Sequence, residues 1–151
     1  MTTSTDRIEK QIHLRAPQSR VWRALTDSKE FGTWFRANLE GPFEVGKMTS
    51  GQITYPGYEW MTMEVWVERI DPETYFSMRW HPGSIERDSD FSQEPTTLIE
   101  FRLEPVDGGT LLRVTESGFD QLPPGRRESA FRDNSSGWEE QMGNIKAHVG
   151  G

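Results

Sequence analysis

The chain has 151 residues, which suits one domain spanning residues 1–151, because single domains are most often about 100 to 150 residues long. Its 24 acidic residues outnumber its 17 basic ones, and the net charge of −7 repels phosphate backbones, so we expect no nucleic-acid binding. The lack of cysteine excludes a disulfide framework and cysteine-bound zinc. The first residues lack the apolar core of a signal peptide and no long uncharged apolar run follows, which predicts a cytoplasmic protein without membrane insertion.

The first third of the chain predicts one strand followed by two short helices. Apolar residues alternate with polar ones over residues 8–14, as in a half-buried strand. A proline suited to the first helical position then opens a helix near residues 17–25. Asp27, followed three residues later by Glu30, resembles a capping box and opens a second helix near residues 28–35.

The middle of the chain predicts antiparallel strands joined by hairpins, because the apolar period changes from helical to two. Residues 43–46 are interpreted as a strand end and a turn. Residues 55–58 have proline and glycine at the central positions of a type II turn, which predicts a hairpin tip. Turns are also predicted at residues 71–72 and 107–109, giving six to seven strands in total.

One long stretch, Pro82 to Pro95, shows no apolar period and carries three serines and five charges. Such a stretch is typical of a mobile surface loop, and it also suits a functional lid. The sequence leaves both interpretations open.

The end of the chain predicts a long amphipathic helix near residues 124–148. Trp138, Met142, Ile145 and Val149 follow one another at helical spacing and form an apolar stripe. This helix is the only predicted element long enough to cover one face of the sheet. The predicted fold class is therefore α+β.

Several runs of residues resemble the family named for activators of the heat-shock-protein-90 ATPase. The matching runs are residues 12–17, residues 21–27, Trp34-Phe35, residues 116–119, Gly137-Trp138 and Ile145-Lys146. The resemblance implies a START-like helix-grip fold, in which a curved antiparallel sheet wraps a C-terminal helix and a ligand cavity lies between them. It brings no catalytic residue with it.

A small set of large side chains is predicted to line such a cavity. The predicted ligand-binding residues are Trp34, Met63, Trp80, Phe101, Glu116, Trp138, Met142 and Ile145. We expect a mostly apolar pocket of about 300 to 1,000 Å³ that opens near the Pro82–Pro95 stretch. Glu116 continues the inward phase of its strand, so it is either a buried polar group of the pocket or a strand-end residue that reaches water.

The histidines provide no recognisable metal site. His13, His81 and His148 lie on separate predicted elements without a metal-binding spacing, so we predict neither a metal nor any other cofactor. We expect His13 and His148 to be solvated. His81 suits a surface role or an acid–base role near the pocket mouth.

Three functions remain open at this stage. The first hypothesis is a non-enzymatic protein that binds a small apolar, aromatic or lipid-like molecule between the sheet and the last helix. The second is a cyclase or hydratase that uses Glu116, with His81, as acid–base groups. The third is a stress-related protein with a chaperone partner.

Overall fold

A computed structural model describes residues 7–82 and 94–150, and seven strands in it form one antiparallel sheet. The strands are β1 (Arg7–Leu14), β2 (Ala37–Glu40), β3 (Met48–Ile53), β4 (Thr62–Asp71), β5 (Tyr75–Trp80), β6 (Thr97–Val106) and β7 (Gly109–Ser117). Their order across the sheet is β1-β7-β6-β5-β4-β3-β2. Every neighbouring pair apart from β1 and β7 is consecutive in sequence, as predicted for strands joined by hairpins.

Three α-helices accompany the sheet at the predicted places. They are α1 (Gln18–Thr26), α2 (Ser28–Phe35) and α3 (Pro124–Val149), with a short 3-10 helix at Phe119–Gln121. The side chain of Asp27 caps α2 by accepting hydrogen bonds from the backbone N–H groups of Lys29 and Glu30, which stabilises the helix start. The predicted α+β fold, with a long C-terminal helix against an antiparallel sheet, is confirmed.

Strand β2 differs from the prediction for this part of the chain. It follows α2 directly, because Arg36 adopts a left-handed conformation with φ of 70° and reverses the chain. The backbone of β2 then passes so close to Gly51 of β3 that a Cβ there would lie 2.0 Å from the carbonyl oxygen of Asn38. Only glycine allows this approach. A strand of four residues is too short to show a clear alternation of apolar and polar side chains, so no local pattern predicts β2.

The predicted turns have the expected geometry. The N–H of Tyr58 donates to the carbonyl oxygen of Tyr55 at 3.0 Å, and Gly57 has φ of 93°, as a type II turn requires. At the β6–β7 hairpin, Gly108 has φ of 79° and Val106 pairs with Gly109. These turns fix the register that directs alternate side chains to the inner face.

Helix α3 covers the inner face of the sheet through the predicted apolar stripe. Trp138, Met142 and Ile145 are buried, and Val149 packs at the edge of the same core. Pro124 lies in the first turn, and Gly150 ends the helix with φ of 100°. Among the described residues, no helix has the length and apolar character needed to cross a membrane.

A cluster of charges around Glu30 joins the three helices. The Glu30 carboxylate accepts hydrogen bonds from Arg20 at 2.7 Å, from Arg23 at 2.6 Å and from His148, near the end of α3, at 2.9 Å. His148 is therefore paired, and the expectation that it is simply solvated is wrong. Partial burial raises the pKa of Glu30, but the hydrogen bonds from His148, Arg20 and Arg23 outweigh it and hold this pKa at about 2.

We expect the Glu30 cluster to make the fold acid-sensitive. A carboxylate with a lowered pKa stabilises the folded state above its unfolded pKa, and this contribution is lost as the pH falls through the folded pKa. The free energy of unfolding should fall by roughly 1 kcal/mol from this group between pH 4.5 and about 2, because the pairs are partly exposed. Chemical unfolding at several pH values would measure this change. The free energy of unfolding should fall less on acidification in Glu30→Gln than in Glu64→Gln, which removes an exposed carboxylate and serves as the control. Equal falls of the free energy of unfolding in the two variants would show that Glu30 is not the source of the acid sensitivity.

Candidate functional site

Glu116 lies on the inner face of the sheet, near the end of β7. Its partners in register are Ile8 of β1 and Ile99 of β6, and its side chain is fully buried. The strand therefore stays in the sheet at this point, and of the two interpretations of Glu116 the buried one holds. A buried carboxylate must be satisfied by hydrogen bonds, because leaving it bare costs several kcal/mol.

Four neutral side chains satisfy the Glu116 carboxylate. One oxygen, Oε2, accepts from the indole N–H of Trp80 at 2.7 Å and from the hydroxyl of Thr97 at 2.5 Å. The other, Oε1, accepts from the indole N–H of Trp138 at 2.8 Å. The amide of Asn134 donates to both oxygens, at 3.1 Å and 3.0 Å. We call Glu116 and these four donors the carboxylate cluster.

Burial and hydrogen bonding act in opposite directions on Glu116. Burial raises the pKa of this carboxyl, while the hydrogen bonds from Thr97, Trp80, Trp138 and Asn134 lower it, and the net direction is upward. Every donor in the carboxylate cluster suits an ionised carboxylate. When the carboxyl is ionised, neutral dipoles alone therefore hold its charge in a buried position.

The two indoles of the carboxylate cluster also pack against each other. Trp80 and Trp138 stack with ring centroids 5.7 Å apart and an angle of 23° between the planes. Phe35 lies 5.7 Å from Trp80 and 6.1 Å from Trp138, and Phe101 meets Trp138 edge to face at 5.8 Å. Phe35 and Trp80 are only half-buried, whereas Phe101 is fully buried. We call Phe35, Trp80 and Trp138 the aromatic group.

Four further residues of the predicted set lie in the same core. None of them has a described contact with the Glu116 carboxyl. Trp34 contacts Phe31 and Phe35, and its indole N–H donates to the carbonyl oxygen of Ala24 at 2.8 Å, which ties α2 to α1. The other three, Met63, Met142 and Ile145, are buried in the core. The structure thus brings together Trp80, Phe101, Glu116 and Trp138 by direct contact.

Sequence reasoning missed three members of this site. Asn134 precedes Trp138 by four residues and so lies on the same helix face, a signal that could have identified it. Phe35 follows Trp34 at the end of α2. Thr97 begins β6, and its contact with Glu116 depends on strand pairing that no local pattern reveals.

The hairpin between β3 and β4 reaches across to α3 beside the aromatic group. The hydroxyl of Tyr55 donates to Glu140 at 3.3 Å, and the Arg36 guanidinium lies 5.1 Å from the centre of the Tyr55 ring. The amide of Gln141 donates to the backbone carbonyl of Phe35 at 3.2 Å. These contacts tie the β3–β4 hairpin and the end of α2 to α3.

The opening was predicted near the Pro82–Pro95 stretch, and residues 83–93 of this stretch lie outside the described residues. One described pocket of about 300 Å³ lies elsewhere, along β5, β6 and β7. It is lined by Thr74, Tyr75, Arg102, Leu103, Glu104 and Arg113. The predicted cavity between the sheet and α3 remains a prediction.

His81 lies apart from the carboxylate cluster. Its ring meets Trp66 edge to face at 5.6 Å, and Trp66 alternates along β4 with the buried residues Val65 and Val67, which places it on the outer face of the sheet. Glu116 lies on the inner face, so the structure does not bring the two proposed acid–base groups together. Within residues 7–82 and 94–150, no three acidic or histidine side chains form a group that could hold a metal.

The antiparallel sheet, the short helices after β1 and the long covering helix place the protein in the START-like helix-grip class. The family model described as "Activator of Hsp90 ATPase homolog 1-like protein" matches residues 15–150, and the chain belongs to this family. No curated protein matches the sequence.

Several solved structures share the fold at low sequence identity. A protein of Mesorhizobium loti is 20% identical with a TM-score of 0.74, over 95% of this chain and 96% of its own. The Aha1 dimer of Colwellia psychrerythraea is 18% identical with a TM-score of 0.69, over 95% of each chain. DynU16, from the dynemicin biosynthetic locus, is 22% identical with a TM-score of 0.73, over 95% of this chain but 47% of its own. This chain thus spans about half of DynU16, and these likenesses establish the fold alone.

Proposed function

We propose that the protein binds a small apolar or aromatic molecule between the sheet and α3, without catalysing a reaction. The observation that carries this proposal is the half-buried surface of Phe35 and Trp80 beside an otherwise buried core. Aromatic side chains with a polar handle commonly line sites where one end of a ligand is apolar. The family fold, with its sheet and covering helix, supports a scaffold of this kind.

The small exposure left on other predicted lining residues agrees with this proposal. Met63 is 7% exposed and Met142 is 6% exposed, whereas Met78 and Phe101 in the same core are 0% exposed. Methionine side chains are flexible and adapt to ligands of irregular shape. The two methionines are therefore side chains that a ligand entering between the sheet and α3 could displace.

An enzymatic role is less well supported than binding. A general acid or base must reach the proton that it transfers, within about 2.6 to 3.2 Å. Glu116 is fully buried and its carboxylate oxygens are occupied by Trp80, Thr97, Trp138 and Asn134. A substrate would have to displace one of these side chains before it met the carboxylate.

A thermal-shift experiment tests the proposed function. We expect 1-methylnaphthalene or decan-1-ol, both neutral, to raise the melting temperature progressively with concentration, because a ligand that binds only the folded state stabilises it by mass action. Met142→Trp should abolish the shift by filling the space beside the helix stripe. Met48→Trp makes the same change at a side chain that is largely exposed and should retain the shift. A melting temperature that stays constant with every such ligand would count against binding and favour a chaperone or other protein partner.

A further inference from the structure

The carboxylate cluster and the aromatic group together define the charge of the ligand. We propose that the molecule bound between sheet and α3 is an aromatic organic cation. This inference rests on the proposed function, because it specifies the ligand class of the same site. It follows from three features of the described residues: the aromatic surface, the buried negative charge behind it, and the charges around it.

The aromatic surface is of the kind that attracts cations. Trp80 and Trp138 stack at 5.7 Å, and Phe35 lies 5.7 Å from Trp80. The face of an aromatic ring carries negative electrostatic potential, and tryptophan attracts cations most strongly. Phe35 and Trp80 keep part of their surfaces accessible, so a flat cation could lie against them.

Among the described residues, only neutral side chains donate hydrogen bonds to the Glu116 carboxyl behind this surface. Both indole N–H groups, which are the positive edges of their rings, point to Glu116 at 2.7 and 2.8 Å. Thr97 and Asn134 supply the other hydrogen bonds, and both are neutral. In a poorly solvated site the attraction between this carboxylate and a nearby cation is weakly screened. In its ionised form Glu116 thus adds to the attraction of the rings themselves.

The other described charges near the site have partners of their own. Arg36 and Glu140 both contact Tyr55 at the β3–β4 hairpin. Arg126 forms an ion pair with Glu94 at 3.1 Å. With a net charge of −7, the protein as a whole also attracts cations. Glu116 is therefore the carboxylate that determines selectivity at this site.

The titration of Glu116 makes binding depend on pH. Burial raises the pKa of Glu116, and a bound cation would lower it again by favouring the ionised form. The side chains that face this carboxyl from β5, β6 and α3 are those of Trp80, Thr97, Asn134 and Trp138, and none of them titrates near neutral pH. A permanently charged ligand should therefore bind more tightly as the pH rises through the folded pKa of Glu116.

The test compares two ligands of the same shape. The probes are 1-methylquinolinium, which carries a permanent positive charge, and 1-methylnaphthalene, which is neutral. The indole N–H signals of Trp80 and Trp138 in NMR spectra report the dissociation constants. We expect at least a tenfold tighter binding of the cation. In Glu116→Gln this preference should fall below threefold, whereas Glu128→Gln, which removes an exposed charge from α3, should retain it.

The outcomes separate this inference from the proposed function. Equal binding of the two probes would overturn the cation inference and leave the proposed function standing. Binding of neither probe would overturn both. A tenfold preference that persists in Glu116→Gln would also overturn the inference, because another group would then supply it. If Glu116→Gln does not fold, the pH dependence of binding to the wild-type protein decides: a preference for 1-methylquinolinium over 1-methylnaphthalene that grows as the pH rises above about 4.5 and Glu116 ionises supports the inference, and a preference that does not change with pH overturns it.

Discussion

Replacing Trp138 with alanine is expected to lower the free energy of unfolding by about 3 to 5 kcal/mol, as aromatic truncations in protein cores do. The side chain is 2% exposed and packs against Phe35, Trp80 and Phe101. Its loss also removes a hydrogen bond to the buried Glu116 carboxylate. Urea unfolding followed by far-UV circular dichroism would measure the change without relying on tryptophan fluorescence.

Two further variants separate the contributions of Trp138. Trp138→Phe keeps an aromatic ring but loses the N–H donor, and we expect a loss of about 1 to 3 kcal/mol. Glu139→Ala changes the adjacent, exposed residue of α3 and should leave stability nearly unchanged, since its ion pair with Lys10 is exposed. An unfolding midpoint for Trp138→Ala that matches the wild type would show that α3 does not cover the sheet through this residue.

Replacing Glu116 with alanine is expected to cost about 3 to 5 kcal/mol at neutral pH. The substitution removes the acceptor for two indole N–H groups, a hydroxyl and an amide, and breaking a buried network by deleting one partner is costly. Glu104→Ala, at an exposed position of β6, is a suitable control. A loss at Glu116 no larger than at Glu104 would mean that the four donors find other partners.

The pH dependence of this loss has a definite sign. The folded protein binds the Glu116 proton more tightly than the unfolded chain does, because burial raises its pKa. The stabilisation from protonation is fully present below the unfolded pKa, near 4.5, and is lost as the pH rises through the folded pKa. As the pH rises from about 4.5 through the folded pKa of Glu116, the free energy of unfolding of the wild type should therefore fall relative to that of Glu116→Ala. A parallel pH profile for the two proteins would show that the carboxyl has an ordinary pKa.

The fold could be predicted from sequence because its signals are local. The apolar stripe of α3 and the turns at residues 55–58 and 107–109 depend on nearby residues, and each lies where expected. Strand β2 escaped prediction because Ala37–Glu40 contains too few residues for a period to show. Its position is fixed instead by the left-handed Arg36 and the close approach at Gly51.

The site was only partly predictable because it depends on non-local contacts. The inward phase of β7 identified Glu116 as a candidate, but its burial depends on pairing with both β1 and β6. Thr97 and Asn134 lie 19 and 18 residues from Glu116, on different elements. The size of a cavity depends on how large side chains pack, and the stacking of Trp80 on Trp138 cannot be deduced from their spacing in sequence.

The pairing of β1 with β7 determines when a growing chain can complete its sheet. Arg7 lies opposite Ser117, so the first strand to leave the ribosome waits for about 110 more residues before its partner exists. At roughly 5 to 20 residues per second, this wait is on the order of 5 to 20 seconds. During that time the backbone N–H and C=O groups of β1 that later bond β7 are unpaired, and such strand edges promote aggregation. The interval between the synthesis of β1 and that of β7 is therefore the period when the nascent protein most needs protection.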